Sequence, residues 1–242
     1  MVAPIALHIG AVIGDYPAFR VAFAVLRGIR PPVDCGPGIE ALAGETERQA
    51  AAMLSATAIA ELEEIRQWRA AYRSFGIKKT SYRNACEALL RRIKRGDGLP
   101  RVLPLVDLYN ALSVKYRVPA GADDLSCLTP PLAFRYAAPG DGFRDLAGDP
   151  DSDDPPKPGE VVLADAAHVL CRRWNWRQDA RSRIQPDTRD ATLVLQTLAD
   201  DGADRLAQAA EELAKHARDD LSAACSWAIA SADSPVVALN SN

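Results

Sequence analysis

Histidine is scarce in this 242-residue chain: His8, His168 and His216 are the only three, and they lie far apart. A metal site built on histidine is therefore not expected. The five cysteines (Cys35, Cys86, Cys127, Cys171 and Cys225) are odd in number, scattered, and never spaced C-x-x-C. That argues against a zinc knuckle and a disulfide framework, and fits reduced thiols in a cytoplasm. No apolar run reaches membrane-spanning length. The start, MVAPIALHIGAVIGDYP, has no basic segment and is interrupted by His8, Asp15 and Pro17, so it reads as a strand and not as a signal peptide. No G-x-x-x-x-G-K-[ST] loop or strand-linked G-x-G-x-x-G is present, which leaves the usual nucleotide cradles unsupported. There is no G-x-S-x-G elbow, and no histidine neighbours a cysteine in sequence. Covalent catalysis is not indicated and no cofactor is expected. Activated water is the natural nucleophile for any reaction here.

What is present suits a soluble globular protein. Hydrophobic residues are 48% and charged residues 25% of the chain, enough to bury a sizeable core. The net charge of −3 speaks against a nucleic-acid partner, but its distribution does not. Between Arg66 and Arg101 stand eleven basic residues and only two acids, Glu87 and Asp97. A second basic cluster is Arg172, Arg173, Arg177, Arg181, Arg183 and Arg189, while acids gather at 141–165 and 200–220. Charge segregated in this way can offer phosphates a basic face.

Residues 5–13 and 19–29 read as two strands around the turn Gly14-Asp15-Tyr16-Pro17. Apolar residues at steps of three and four, from Leu54 through Trp68 to Tyr72, predict one long helix over 45–73. A second helix begins near Thr80 or Ser81, with Arg83, Arg91 and Lys94 opposite an apolar face of Tyr82, Cys86, Leu89 and Ile93. A third starts at Pro104 and carries Leu105, Leu108, Tyr109, Leu112 and Tyr116 inward. Strands are expected at 132–136, 161–164, 169–173 and 192–197, and a last helix at 203–219. Residues 223–242 give no signal. With no repeat and no linker, the economical reading is a single α+β domain over 1–242, a central sheet region flanked by helices.

Four constellations carry candidate chemistry. In Arg172-Arg173-Trp174-Asn175-Trp176-Arg177, guanidinium groups suit phosphate and indoles suit unpaired bases. The competing reading makes Trp174 and Trp176 core and pairs the arginines with acids. Asp107 and Asn110, three apart on the third helix, sit close enough to orient a ribose or an amino group, or only to tie down the neighbouring loop. Lys78 and Lys79, with Arg83 and Arg91, form a basic face for phosphates or simply a solvated one. Asp165 ends a strand, a place for a functional carboxylate or for a turn residue.

E-A-L-L-R-R at 87–92, L-P-x-x-x-P-L-V-D-x-Y-N at 99–110, P-K-P-G-E-V-V at 156–162 and V-L-C-R-R-W-N-W-R at 169–177 follow one another in the chain. Together they resemble the free-standing B3/B4-domain proteins, relatives of the editing module in the β subunit of bacterial phenylalanyl-tRNA synthetase. The resemblance runs from the opening strands to the helix near 219. It implies an α+β fold with a cleft, tRNA as partner, no membrane or metal, and hydrolysis in trans of the ester between tRNA and a wrong amino acid. On this likeness Asn110, Asp107 and Asn175 are the catalytic candidates, with Asn110 and Asn175 placing the water. Lys78, Lys79, Arg83, Arg91, Asp165, Arg172, Arg173, Trp174, Trp176 and Gln196 are the binding candidates. Arg172, Arg173 and Asn175 are expected to face the cleft and at least one tryptophan to be core. The chain departs from the synthetase pattern at Gly121, where the module has a loop histidine, at Tyr109, where it has a threonine, and near Gln196, where it has an acid. The 171–177 run replaces a glycine-rich segment. A non-catalytic RNA- or partner-binding module and a small-molecule amino-ester binder are the alternative readings.

Overall fold

The computed structural model describes residues 4–30, 36–77, 82–148 and 154–240. Two sheets and a layer of helices stack on one another. One sheet has the order β10-β1-β4-β5-β6-β7 and the other β3-β8-β2-β9. The strands are β1 Ile5–His8, β2 Arg20–Arg27, β3 Ala120–Asp124, β4 Leu132–Tyr136, β5 Val161–Ala164, β6 Val169–Arg172, β7 Arg177–Gln178, β8 Ala191–Thr197, β9 Ala224–Ala230 and β10 Val236–Leu239. The helices are α1 Gly10–Ile13, α2 Pro37–Ala56, α3 Glu63–Ser74, α4 Ala85–Arg95, α5 Pro104–Tyr116 and α6 Gly202–Leu221.

The alternation of β2 explains the layering. Side chains on a strand point to opposite faces in turn. Val21, Phe23 and Val25 enter the core between the sheets, with Leu7, Phe134, Leu163 and Val194. Ala22, Ala24 and Leu26 face the other way, toward Leu206, Ala209, Leu213 and Ala217 of α6 and Leu108 and Leu112 of α5. Small residues on that face let α6 approach β2, β8 and β9 closely. A third core joins α2, α4 and α5 through Leu54, Cys86, Leu90, Ile93 and Ala111.

The expected α+β architecture stands, with several local corrections. The first two strands are not a hairpin: β1 pairs with β10 and β4, whereas β2 pairs with β8 and β9 in the other sheet. Residues 10–13 form a helical turn where a strand was expected. The long helix over 45–73 is two helices, separated by extended backbone at Thr57 and Ala58 and by the turn Ile59–Glu61. The break lets Leu54 and Ile59 stay in the helical core while Trp68 and Tyr72 reach the core between the sheets. Thr80 and Ser81 lie outside the described residues. The N-cap of α4 is Asn84, whose side chain accepts the Glu87 N–H at 2.8 Å. No helix among the described residues is long and apolar enough to cross a membrane.

Candidate functional site

Helix α4 divides its residues among three directions. Cys86, Leu89, Leu90 and Ile93 go into the helical core. Ala85, Ala88, Leu89 and Arg92, at helical spacing, line a pocket. Glu87 turns to a third side, where it is buried and gathers Arg69 (Nη2 to Oε1, 2.6 Å), Arg91 (2.9 Å) and Arg83 (3.8 Å). Burial raises the Glu87 carboxyl, but hydrogen bonds from Arg69 and Arg91 outweigh this and hold it below its ordinary value. Arg83 and Arg91 therefore converge on an acid, where outward-pointing cations were expected.

The run 172–177 is a tight hairpin. Arg172 pairs with Arg177 across β6 and β7. Arg173 (φ 46°) and Trp174 (φ 65°) both take left-handed backbone, where L side chains are disfavoured. Each such residue costs on the order of 1–3 kcal/mol and persists only where its surroundings hold it. Here they do. Trp174 is fully buried, edge-on to Tyr16, Phe19 and Trp68 at 4.6–5.3 Å, and its backbone N–H donates to the Val161 carbonyl at 2.6 Å. The Asn175 carbonyl accepts the Ala85 N–H at 2.9 Å, tying the hairpin to the start of α4.

Contrary to expectation, Arg172 does not face the cleft. It is 0% exposed, paired with Glu160 at 3.1 Å and with the Asp154 carboxylate at 2.5 Å. Arg173 is also buried. Its guanidinium sits between Tyr82 (3.9 Å) and Trp176 (4.2 Å), 3.5 Å from Glu160. Burial first, then the charge of Arg172, lowers its pKa, while Glu160 opposes the shift. Both arginines build the hairpin and do not line the pocket.

The pocket has a volume of about 610 Å³, a size typical of small-ligand sites. It opens where the space between the sheets meets α4 and α5. Asn110 of α5, Gln196 and Val194 of β8, Gly121 and Asp123 of β3, Cys171 of β6, and Asn175, Trp176, Arg177 and Gln178 of the hairpin all line it. Gln196 shares a strand face with Val194, two residues away, so the inter-sheet core becomes polar at this point. Asn175 is held from two sides: Tyr72 donates its hydroxyl to Oδ1 at 2.9 Å, and Nδ2 donates to Gln196 Oε1 at 3.3 Å. Val102 and Leu146, two of the exposed large apolar side chains, also line the pocket.

Asp123, which sequence reasoning missed, is a buried carboxylate in this lining. Its Oδ1 accepts from Ser182 Oγ at 2.7 Å and Gln178 Nε2 at 2.9 Å. Burial raises its pKa to about 6, against these two hydrogen bonds, with Asp179 and Asp165 adding to the rise. Burial also pushes up the Cys171 thiol, assisted by Asp123, and the Tyr109 hydroxyl, so neither is a ready nucleophile. Among the described residues, no group of three His, Cys, Asp or Glu side chains is placed to hold a metal ion.

The candidates thus separate. Asn110, Asn175, Trp176 and Gln196 meet in the pocket. Asp107 stands behind its wall: Oδ1 accepts the Val102 N–H at 2.8 Å and so anchors the loop that brings Pro100 and Val102 to the lining. Asp165 is a turn residue, accepting the Thr129, Ala167 and His168 N–H groups at 2.6–2.7 Å. Trp174 is core. Lys78 and Lys79 lie outside the described residues. Arg92 and Arg177 are the cations of the lining. The helical step from Leu89, which is shared by core and pocket, would have picked Arg92 over Arg91. No local signal marks Asp123, which follows Ala120-Gly121-Ala122 in a segment poor in strand formers.

The B3/4 domain family model matches residues 67–219, which contain every residue lining the pocket. The chain belongs to the B3/4 domain family. Among solved structures it resembles an N-terminal fragment of the phenylalanyl-tRNA synthetase β subunit from Pyrococcus horikoshii, at 11% identity and a TM-score of 0.51. The match covers 90% of this chain and 49% of the fragment, so the chain spans about half of that fragment's length. At this identity the likeness is one of fold. No curated protein matches.

Proposed function

We propose that this protein hydrolyses the ester of misacylated tRNA in trans. The observation that carries the reading is the convergence of Asn110, Asn175 and Gln196 in one pocket, beside Trp176 and with Arg92 and Arg177 in the same lining. The arginines take phosphates of the acceptor end and Trp176 stacks on the terminal base. Asn175, fixed by Tyr72, and Asn110 place a water against the ester carbonyl and donate to the developing oxyanion. The water oxygen bonds to the carbonyl carbon and the ester C–O bond breaks. The terminal ribose hydroxyl leaves with a proton, and its neighbouring hydroxyl assists the transfer. Asp107 acts as a positioning residue through the 99–103 loop.

Gly121 favours a second reading, a non-catalytic RNA-binding module. A Cβ built there meets nothing within 4 Å, so the pocket has open space where the resemblance leads one to look for a histidine. The test is to incubate the protein with tRNAs mischarged with a broad set of amino acids and follow ester loss. Hydrolysis of at least one, slowed about 10²-fold or more in Asn175→Ala, is expected from loss of an oxyanion donor. Salt-sensitive tRNA binding without hydrolysis of any of them would leave the binding module as the function.

A further inference from the structure

We infer that Asp123 reads the α-ammonium group of the bound aminoacyl moiety, which restricts the substrate class to esters of amino acids with a free α-amino group. The inference rests on the reading above and deepens it. Asp123 is 5% exposed and lies in the pocket lining, yet among the described residues no cation pairs with it. Its two side-chain partners, Ser182 and Gln178, are neutral donors and both go to Oδ1. Arg177, in the same lining, lies instead 3.8 Å from the Asp145 carboxylate.

The nearby acids are already satisfied. Asp179 holds Arg181 at 2.6 Å, and Asp165 takes three backbone N–H groups. Facing Asp123 from the packed elements are Tyr109 of α5 and Cys171 of β6, both uncharged with their pKa values pushed up. A buried carboxylate without a counter-charge is costly, and a ligand ammonium offsets that cost while supplying three donors. The other polar side chains around it, Asn110, Asn175, Gln178 and Gln196, are amides. They accept an ammonium and an acylated nitrogen with little difference, so discrimination between the two falls on Asp123. With a pKa of about 6 the carboxylate is mostly ionised at neutral pH and mostly protonated at pH 5.

The experiment titrates the full chain with L-phenylalaninamide, L-tyrosinamide, L-leucinamide and L-alaninamide and with their N-acetyl forms, by calorimetry at pH 7.5 and pH 5. At least one free amide is expected to bind about 10-fold or more tightly than its N-acetyl form at pH 7.5. That preference should collapse at pH 5 and disappear in Asp123→Asn. Equal binding of both forms, a preference retained in Asp123→Asn, or no binding of any free amide overturns the inference. The pH comparison on the native protein stands even if the variant folds poorly. Selective binding of free amides without deacylation of any mischarged tRNA would overturn the hydrolase and leave the Asp123 assignment in place. Deacylation of N-acetylated and free aminoacyl-tRNA at equal rates would do the reverse.

Discussion

Helix α4 and the 172–177 hairpin are both rich in arginine but opposite in construction. On α4, three guanidinium groups gather around one buried acid, Glu87, yet Arg69, Arg83 and Arg91 keep 28–37% of their side chains in water. In the hairpin, Arg172 and Arg173 are almost wholly removed from solvent and are matched by Glu160, Asp154 and the rings of Tyr82 and Trp176. The arginines that line the pocket are Arg92, next to Arg91 on α4, and Arg177, paired with Arg172 across the hairpin. A basic cluster in sequence is therefore not one surface. Each is split between cations that build and cations that line the pocket, and the split changes from one residue to the next.

Substitutions can break or sharpen this comparison. The largest effect is expected from Trp174→Ala, which empties the centre of an aromatic cluster and should cost about 3–5 kcal/mol in urea unfolding. Arg172→Met leaves Glu160 buried with only Arg173 nearby, at 3.5 Å, and should cost about 3 kcal/mol. Glu87→Gln should cost less, about 1–2 kcal/mol, because water reaches all three of its arginines. Equal losses for Arg172→Met and Glu87→Gln would erase the contrast between the two regions.

Titration separates the regions further. A carboxyl held low in the folded state contributes stability at neutral pH that is lost as pH falls through its folded pKa. Glu87 is of this kind, so Glu87→Gln should unfold with a shallower dependence on acid below its ordinary value of 4.5. Asp123 has the opposite sign. Its folded pKa of about 6 is raised from 3.8, so its contribution is favourable in acid and is lost as pH rises through about 6. Asp123→Asn should therefore gain stability relative to the native chain above pH 6, by about 3 kcal/mol at most, and most of the gain should vanish near pH 4. The smallest stability effects, within about 0.5 kcal/mol, are expected for Arg92→Gln and Arg177→Gln. These two should instead each lower the salt slope of tRNA binding by about 1.

Part of this arrangement was legible in the residues. Strands β4, β5 and β8 and helices α5 and α6 carry strong local patterns and fall where periodicity places them. Asn110 was found from its place on α5, and Asn175 from the polar position between two indoles. Among the strands that escaped are β3, β9 and β10. β3 reads Ala-Gly-Ala-Asp-Asp and β9 is rich in alanine, compositions with little intrinsic preference for extended backbone. They are strands because β8, β2 and β1 offer hydrogen-bonding edges to pair with. Missing β3 meant missing Asp123, since a carboxylate on an unrecognised strand has no assigned face.

The sequence by itself determined the fold class, the family and, β3 apart, most of the segments that frame the pocket, because those follow from periodicities and motifs only a few residues long. Only the tertiary structure decided which charges are used up in building it. Whether Arg172 meets solvent depends on Glu160, twelve residues away across a strand pair, and whether Asp107 or Asp165 touches a ligand depends on which backbone N–H groups reach it first. Burial and counter-charge are properties of the packed molecule, and they set the role of each ionised group more strongly than its neighbours in the chain do.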